Sequence, residues 1–108
     1  MKTRKTKTGE LDLFKSIWLE REHISFLSGR SIKWFDIKAF AHVVAKSKLP
    51  EARLDKNNII LLHPEEHNLE HIGTNSQREK YCQDWNCSWD KITNYKKKIE
   101  QKYEYSTD

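Results

Sequence analysis

The chain has 108 residues, of which 33% are charged and 36% hydrophobic, and its formal net charge is +4 at pH 7. This length allows one domain with a modest core, to which four Trp, four Tyr and four Phe contribute much apolar area. We expect neither a membrane protein nor a secretory signal, because no apolar run is long enough to span a bilayer and no apolar segment follows the basic N-terminus. The expected location is therefore the cytoplasm.

The N-terminal part of the chain is predicted to form a basic arm followed by a helix. Residues 1–8 contain only basic charges, which is typical of a flexible arm that favours polyanions. Residues 9–108 are predicted to form a single domain. Apolar residues recur at helical spacing from Glu10 to about Glu22, and residues 28–31 have the composition of a turn. Residues 32–37 fit either a strand or an irregular segment.

The middle of the chain is predicted to contain two strands and a helix. The first strand covers Phe40 to Ala45, a polar loop covers Lys46 to Lys56, and the second strand covers Ile59 to Leu62. Pro64 suits the first turn of a helix that continues to about Ile72 and ends at Gly73. This order predicts a hairpin followed directly by a helix.

The C-terminal part is predicted to be helical. A short helix covers Asn75 to about Asp84, and Ser88 is placed to cap a second helix that has Asp90 in its first turn. The second helix has an apolar stripe that should pack on the domain, formed by Trp89, Ile92, Tyr95, Ile99 and Tyr103. The fold class is therefore α+β.

Two cysteines, Cys82 and Cys87, are too few and too close for a disulfide framework. They could supply half of a zinc site, but the chain has no second cysteine pair. We expect reduced thiols that pack against the core.

Histidines carry most of the functional information. His67 and His71 are four residues apart, so a helix would place both on one face, where their ring nitrogens can bind one metal ion. His42 and Asn58 lie at the ends of the two apolar runs that the predicted hairpin brings beside this helix. The alternatives are a half-buried strand histidine for His42 and exposed polar residues for the helical pair.

The order His42, Asn58, His67, with nine residues from the Asn to the second His, resembles the HNH nuclease motif of the ββα-metal fold. The segment from His67 to His71 is similar to the metal-binding helix of colicin-type DNases. Most of residues 10–105 is similar to small stand-alone HNH proteins of phages and bacteria. The resemblance implies that a ββα-metal centre is flanked by an N-terminal helix and C-terminal helices.

The resemblance also implies roles for single residues. His42 would be the general base, Asn58 would hold the strand of His42 in register, and His67 and His71 would bind one divalent cation. Mg²⁺ or Mn²⁺ is the expected ion, with Zn²⁺ and Ni²⁺ as alternatives. No structural zinc is expected, because Ser28-Gly29 stands where such proteins often have Cys-Gly.

One departure from the family concerns Ala41, which stands where many members have an Asp or His that also binds the metal. An alanine cannot do so, and the expected ligands beside His67 and His71 are waters, phosphate oxygens or a carboxylate such as Asp36. The expectation is either weak metal binding that becomes adequate with DNA present, or loss of catalysis.

Basic residues of the loop are candidate phosphate contacts, with a solvated loop as the alternative. Arg53 is the first candidate because a guanidinium can bind phosphate through two hydrogen bonds. The others are Lys46, Lys48 and Lys56.

The sequence therefore predicts a metal-dependent HNH endonuclease that hydrolyses DNA and leaves 5′-phosphate and 3′-hydroxyl ends. RNA stays open as a substrate, as do the monomeric and homodimeric states. The first alternative is a DNA-binding module that kept the fold and lost metal chemistry. The second is an accessory protein that binds a partner and whose histidines are structural.

Overall fold

The computed structural model describes residues 9–106, so the predicted arm of residues 1–8 lies outside the described part. The described residues form four α-helices and one two-stranded antiparallel sheet, which confirms the predicted α+β class. The elements are α1 (Glu10–Glu20), β1 (Phe40–His42), β2 (Ile59–Leu61), α2 (Pro64–Ile72), α3 (Asn75–Trp85) and α4 (Asp90–Ser106). Within residues 9–106, no helix has the length and apolar character needed to cross a bilayer.

The hairpin divides the core into two clusters, because side chains alternate between the two faces of a strand. Phe40 of β1 pairs with Leu61 of β2, and both side chains pack with Phe14 and Ile17 of α1. The opposite face packs against the C-terminal helices through Ala41, Val43, Ile60, Leu62, Tyr81 and Ile92. A two-stranded sheet is marginal alone, so helices on both faces are what stabilises it.

The first strand is shorter than predicted, because β1 ends at His42 rather than at Ala45. The cause is the side chain of Asn58, whose Oδ1 accepts from Val44 N at 2.8 Å while its Nδ2 donates to Val44 O at 3.1 Å. An amide side chain therefore satisfies the backbone groups that a longer ladder would have paired. The strand ends where the Asn58 side chain takes the place of a main-chain hydrogen-bond partner.

Helix ends are close to the predicted positions. Pro64 opens α2 and Gly73 follows its last residue, as predicted. His63 caps this helix, since its Nδ1 accepts from Glu65 N at 3.2 Å. Ser88 Oγ accepts from Asp90 N at the start of α4, and on α4 the predicted stripe packs inward with Ile92 and Ile99 buried.

Residues 32–37 are irregular, which is the second of the two alternatives for this segment. An isolated bridge between Ile24 and Ser31 precedes them. A short 3-10 turn, Ile37–Ala39, then leads into β1, and Asp36 caps it by accepting from Lys38 N at 2.9 Å. This turn contacts α2 and so brings the start of β1 beside that helix.

Candidate functional site

His42 lies at the end of β1, and its side chain is 11% exposed. Its Nε2 is 2.9 Å from the carbonyl oxygen of Arg53 in the loop between the strands. A carbonyl only accepts hydrogen bonds, so Nε2 carries the proton and Nδ1 of the neutral ring holds the lone pair. The loop therefore fixes His42 in a tautomer that can accept a proton through Nδ1.

Glu10, the first residue of α1, joins the helix to the loop beside His42. Its Oε2 is 3.0 Å from Arg53 Nε, 3.3 Å from Lys46 Nζ and 3.6 Å from His42 Nε2. Burial raises the pKa of Glu10, but the hydrogen bonds from Arg53 and Lys46 outweigh it, and the net pKa lies below the usual value. A carboxylate is thus held next to the His42 ring. Sequence reasoning missed Glu10, because its partners are far away along the chain.

Asn58 is fully buried and closes the base of the loop. Besides its two bonds with Val44, its Nδ2 donates to Ala52 O at 3.2 Å. The predicted hydrogen bonds across the loop are therefore present. They hold the chain after His42 at a fixed distance from the start of β2, and Asn58 has no contact suited to proton transfer.

His67 and His71 lie on one face of α2, as their spacing predicts, and line a shallow hollow with Lys38, Pro64 and Asn68. His67 Nδ1 is 2.5 Å from the carbonyl oxygen of Lys38. By the same reasoning as for His42, Nδ1 of His67 donates and Nε2 holds the lone pair. Metal-binding histidines commonly donate their other ring N–H to a carbonyl in this way. His71 is exposed.

Within residues 9–106, His42 makes no direct contact with His67 or His71. His42 contacts the loop and α1, at the end of β1, whereas His67 contacts Lys38, before β1 begins. Ala41 is buried in the core cluster with Ile60 and offers no ligand. Within residues 9–106, no group of three or more His, Cys, Asp and Glu side chains is arranged to hold a metal ion.

The acidic residues of α2 are all engaged elsewhere. Glu65 pairs with Arg30 at 2.5 Å, and Glu70 accepts from Trp89 Nε1 at 2.7 Å. Glu66 is fully buried and accepts from Ser25 Oγ at 2.5 Å and from Tyr81 OH at 2.6 Å. Glu66 is therefore not part of the exposed face of α2.

Glu66 instead connects three parts of the fold. Its carboxylate also accepts from Ser28 Oγ and from His63 N, so each oxygen has two donors. Burial and the Glu66 carboxylate raise the pKa of Tyr81 to about 12, which keeps the phenol a donor. This buried carboxylate joins the segment of Ser25 and Ser28 to α2 and α3.

The four basic residues predicted to contact phosphate all have carboxylate partners. Arg53 and Lys46 pair with Glu10, Lys56 pairs with Glu20 at 2.6 Å, and Lys48 lies 3.9 Å from Glu100. The loop cations therefore stabilise contacts between the loop and the helices. Phosphate would have to compete for them with these carboxylates.

Cys82 and Cys87 are free, half-buried thiols with their sulfur atoms 3.4 Å apart. Cys87 packs against the core cluster of Tyr81 and Ile92, in agreement with the predicted packing role. Burial and the neighbouring Cys82 raise the pKa of Cys87 to about 12. Because the thiolate is the nucleophile and the metal ligand, Cys87 is poorly suited to either task.

Comparison with family models, with curated proteins and with solved structures finds no match for this chain.

Proposed function

We propose that this protein is a metal-dependent endonuclease of the HNH type that hydrolyses phosphodiester bonds of DNA in the cytoplasm. One observation carries the proposal. His42 and His67 each donate one ring N–H to a main-chain carbonyl and so present the other nitrogen as a lone pair. A general base and a metal ligand both need this arrangement. His23 also has it, with its Nε2 2.8 Å from Trp18 O. His42 differs from His23 in the Glu10 carboxylate 3.6 Å from its ring, and His67 differs in sharing its hollow with His71.

In the proposed reaction, His42 Nδ1 takes a proton from water as the water oxygen attacks phosphorus. The bond from phosphorus to O3′ breaks, O3′ takes a proton from solvent, and a 5′-phosphate and a 3′-hydroxyl are left. The hydrogen bond to the Arg53 carbonyl keeps the ring oriented during the transfer. The carboxylate of Glu10, 3.6 Å from Nε2, favours the imidazolium that forms.

His67 and His71 are the residues that would hold the divalent cation, and their imidazole nitrogens are suitable donor atoms for it. His67 has the orienting carbonyl described above, and His71 shares its hollow. When bound, such an ion would neutralise charge on the phosphate. Two imidazoles leave several positions for water and phosphate oxygens, so we expect weak binding that strengthens when DNA is present.

Arg53 is the proposed phosphate contact nearest to His42, because its own carbonyl oxygen holds the His42 ring. Its guanidinium donates to Glu10 Oε2 through Nε at 3.0 Å. A phosphate at Arg53 would have to displace the Glu10 carboxylate, which would keep Lys46 as a partner. Release of Glu10 would couple substrate binding to the surroundings of His42.

A second candidate function is a DNA-binding module without catalysis. It is favoured by Ala41, which is buried in the core where the family often has a ligand, and by the separate contacts of His42 and His67. The same loop cations would serve both functions. The two candidates differ in whether a bond is broken, so a cleavage assay separates them.

The test is nicking of supercoiled plasmid by the wild type and by His42→Ala, in EDTA and with Mg²⁺ or Mn²⁺. We expect nicking by the wild type that depends on metal, and a loss of at least about 100-fold in His42→Ala. His23→Ala is the matched control, since His23 stacks on Trp18 away from this site and should retain activity.

Metal binding is tested separately with His67→Ala and His71→Ala. Each should raise the Mn²⁺ concentration needed for half-maximal nicking, and His67→Ala should do so more strongly. Folded wild-type protein that leaves plasmid intact with every metal, yet binds DNA, would establish the non-catalytic module instead. Absence of any salt-sensitive DNA binding would remove both candidates in favour of an accessory protein.

A further inference from the structure

Trp34 is the most exposed of the four tryptophans, with 71% of its surface accessible. The others have partners: Trp18 stacks on His23 at 3.5 Å, Trp85 lies under the guanidinium of Arg30 at 3.9 Å, and Trp89 donates to Glu70. Trp34 has no ring or cation partner within residues 9–106. Single exposed apolar side chains are common, so the neighbours of Trp34 decide what it could bind.

Trp34 lines a cleft that adjoins the hollow of the helical histidines. The cleft has a volume of about 280 Å³, close to the lower end of small-ligand pockets at about 300 Å³, and includes Lys33, His63 and Pro64. The hollow with His67 and His71 also includes Pro64. Because Pro64 borders both, the cleft of Trp34 and the hollow of the proposed metal ligands are adjoining parts of one surface.

The charges of this surface favour an anionic strand. Lys33 lines the cleft and Lys38 lines the hollow, and neither has an ion-pair partner in the part of the chain that the structure describes. This differs from the loop cations, which are all paired. The acidic residue of the cleft, Asp36, accepts from Lys38 N and caps the turn before β1. Unpaired ammonium groups can bind phosphate without first losing a carboxylate.

We propose that Trp34 stacks on an unpaired base of a nucleic-acid strand whose phosphates contact Lys33 and Lys38. Aromatic residues within a basic groove bind single strands in this way, and the stacking tolerates any sequence. In an intact duplex the faces of the bases are covered by their neighbours. The inference rests on the proposed endonuclease function and specifies its substrate class as single-stranded or locally unpaired nucleic acid.

The experiment measures binding by fluorescence anisotropy in EDTA, so that hydrolysis plays no part. The full chain is titrated into three labelled DNAs: a short single strand, the same strand with abasic residues, and the matched duplex. Trp34→Ala should weaken binding of the normal single strand by about 5- to 150-fold. It should leave binding of the abasic strand and of the duplex nearly unchanged.

Two further variants separate stacking from a general surface effect. Trp34→Phe keeps an aromatic face and should recover most of the lost affinity. Leu19→Ala removes an apolar side chain that is 86% exposed on α1 and should bind every DNA as the wild type does. Since Trp34 and Leu19 are both exposed, neither variant threatens folding, and circular dichroism checks this.

The outcomes distinguish this inference from the nuclease proposal. If the wild type binds single strands through Trp34 but never nicks plasmid, the stacking proposal is supported and the hydrolysis proposal fails. If the wild type nicks plasmid while Trp34→Ala binds all three DNAs normally, the stacking site alone is overturned. Equal losses on the abasic strand and the normal strand would also overturn it, because stacking requires a base.

Discussion

At the scale of single residues, Asn58 has the largest structural role of the predicted motif residues. We expect Asn58→Ala to lower the free energy of unfolding by about 2–4 kcal/mol, because three buried hydrogen bonds are lost and backbone groups of Val44 and Ala52 are left unpaired. Urea unfolding at neutral pH measures the change.

Asn57→Ala is the matched control for this substitution. Its side chain is exposed, and the contact that Tyr95 makes with Asn57 uses the main-chain carbonyl, which the variant keeps. Unfolding of Asn57→Ala should match the wild type within about 0.5 kcal/mol. Equal effects at the two positions would contradict the role assigned to the buried amide.

The residue scale also marks the limit of prediction from sequence. The one-face placement of His67 and His71 follows from helical spacing, and the cross-loop bonds of Asn58 follow from the resemblance. The burial of Glu66 and the position of Glu10 beside His42 do not follow, because each depends on partners distant along the chain. Contacts between distant segments have no periodic signal in the sequence.

At the scale of elements, helix positions were predictable and strand lengths less so. Helices α2 and α3 begin at Pro64 and Asn75, where capping chemistry places them. Apolar runs predicted both strands, but the Asn58 side chain ends β1 early. The pattern of apolar residues does not indicate this hydrogen bond. The irregular segment before β1 likewise has a composition that also suits a strand.

Helix α4 is attached to the loop through Asp55, and this attachment should depend on pH. Asp55 Oδ2 is 2.8 Å from Lys102 Nζ and 2.7 Å from Tyr103 OH. Burial raises the pKa of Asp55, but these hydrogen bonds outweigh it, so the folded pKa lies below 3.8, its ordinary value. The stabilisation is therefore complete above pH 3.8 and is lost as the pH falls through the folded pKa.

We expect Asp55→Asn to lower the free energy of unfolding by about 1–2 kcal/mol at neutral pH, and the difference from the wild type to shrink as the pH falls below 3.8. Denaturant unfolding across acidic pH measures this. Asp84→Asn serves as the control, since Asp84 forms an exposed pair with Lys80 on α3. A difference that stays constant through acidic pH would exclude a contribution from ionised Asp55.

At the scale of the whole molecule, the net charge comes entirely from the first eight residues. Residues 1–8 contain four basic side chains and no acid, so residues 9–108 have no net charge when the total is +4. General attraction for DNA and local recognition at Trp34 should therefore depend on different parts of the chain.

Deletion of residues 1–8 should weaken binding to duplex and to single strands alike. The slope of log affinity against log salt should become less steep by at most about 3.6 for duplex DNA, since each neutralised phosphate contributes about 0.9. The ratio of affinities for normal and abasic single strands should stay as in the full chain. Titrations at several salt concentrations measure both quantities, and a changed ratio would assign base recognition to the deleted residues.

The Asn58 amide closes the loop at its base, and the Arg53 carbonyl holds the His42 ring, so the position of His42 does not depend on the tip of the loop between Lys46 and Leu49. Lengthening a flexible loop twofold costs only about 0.6 kcal/mol. An insert between Ser47 and Lys48, which are both exposed, can therefore lengthen the loop while Lys46 and Arg53 keep their contacts beside His42 and the hairpin register is kept. The protein thus has a natural graft site, through which a new recognition sequence could be placed next to His42 without redesign of the core.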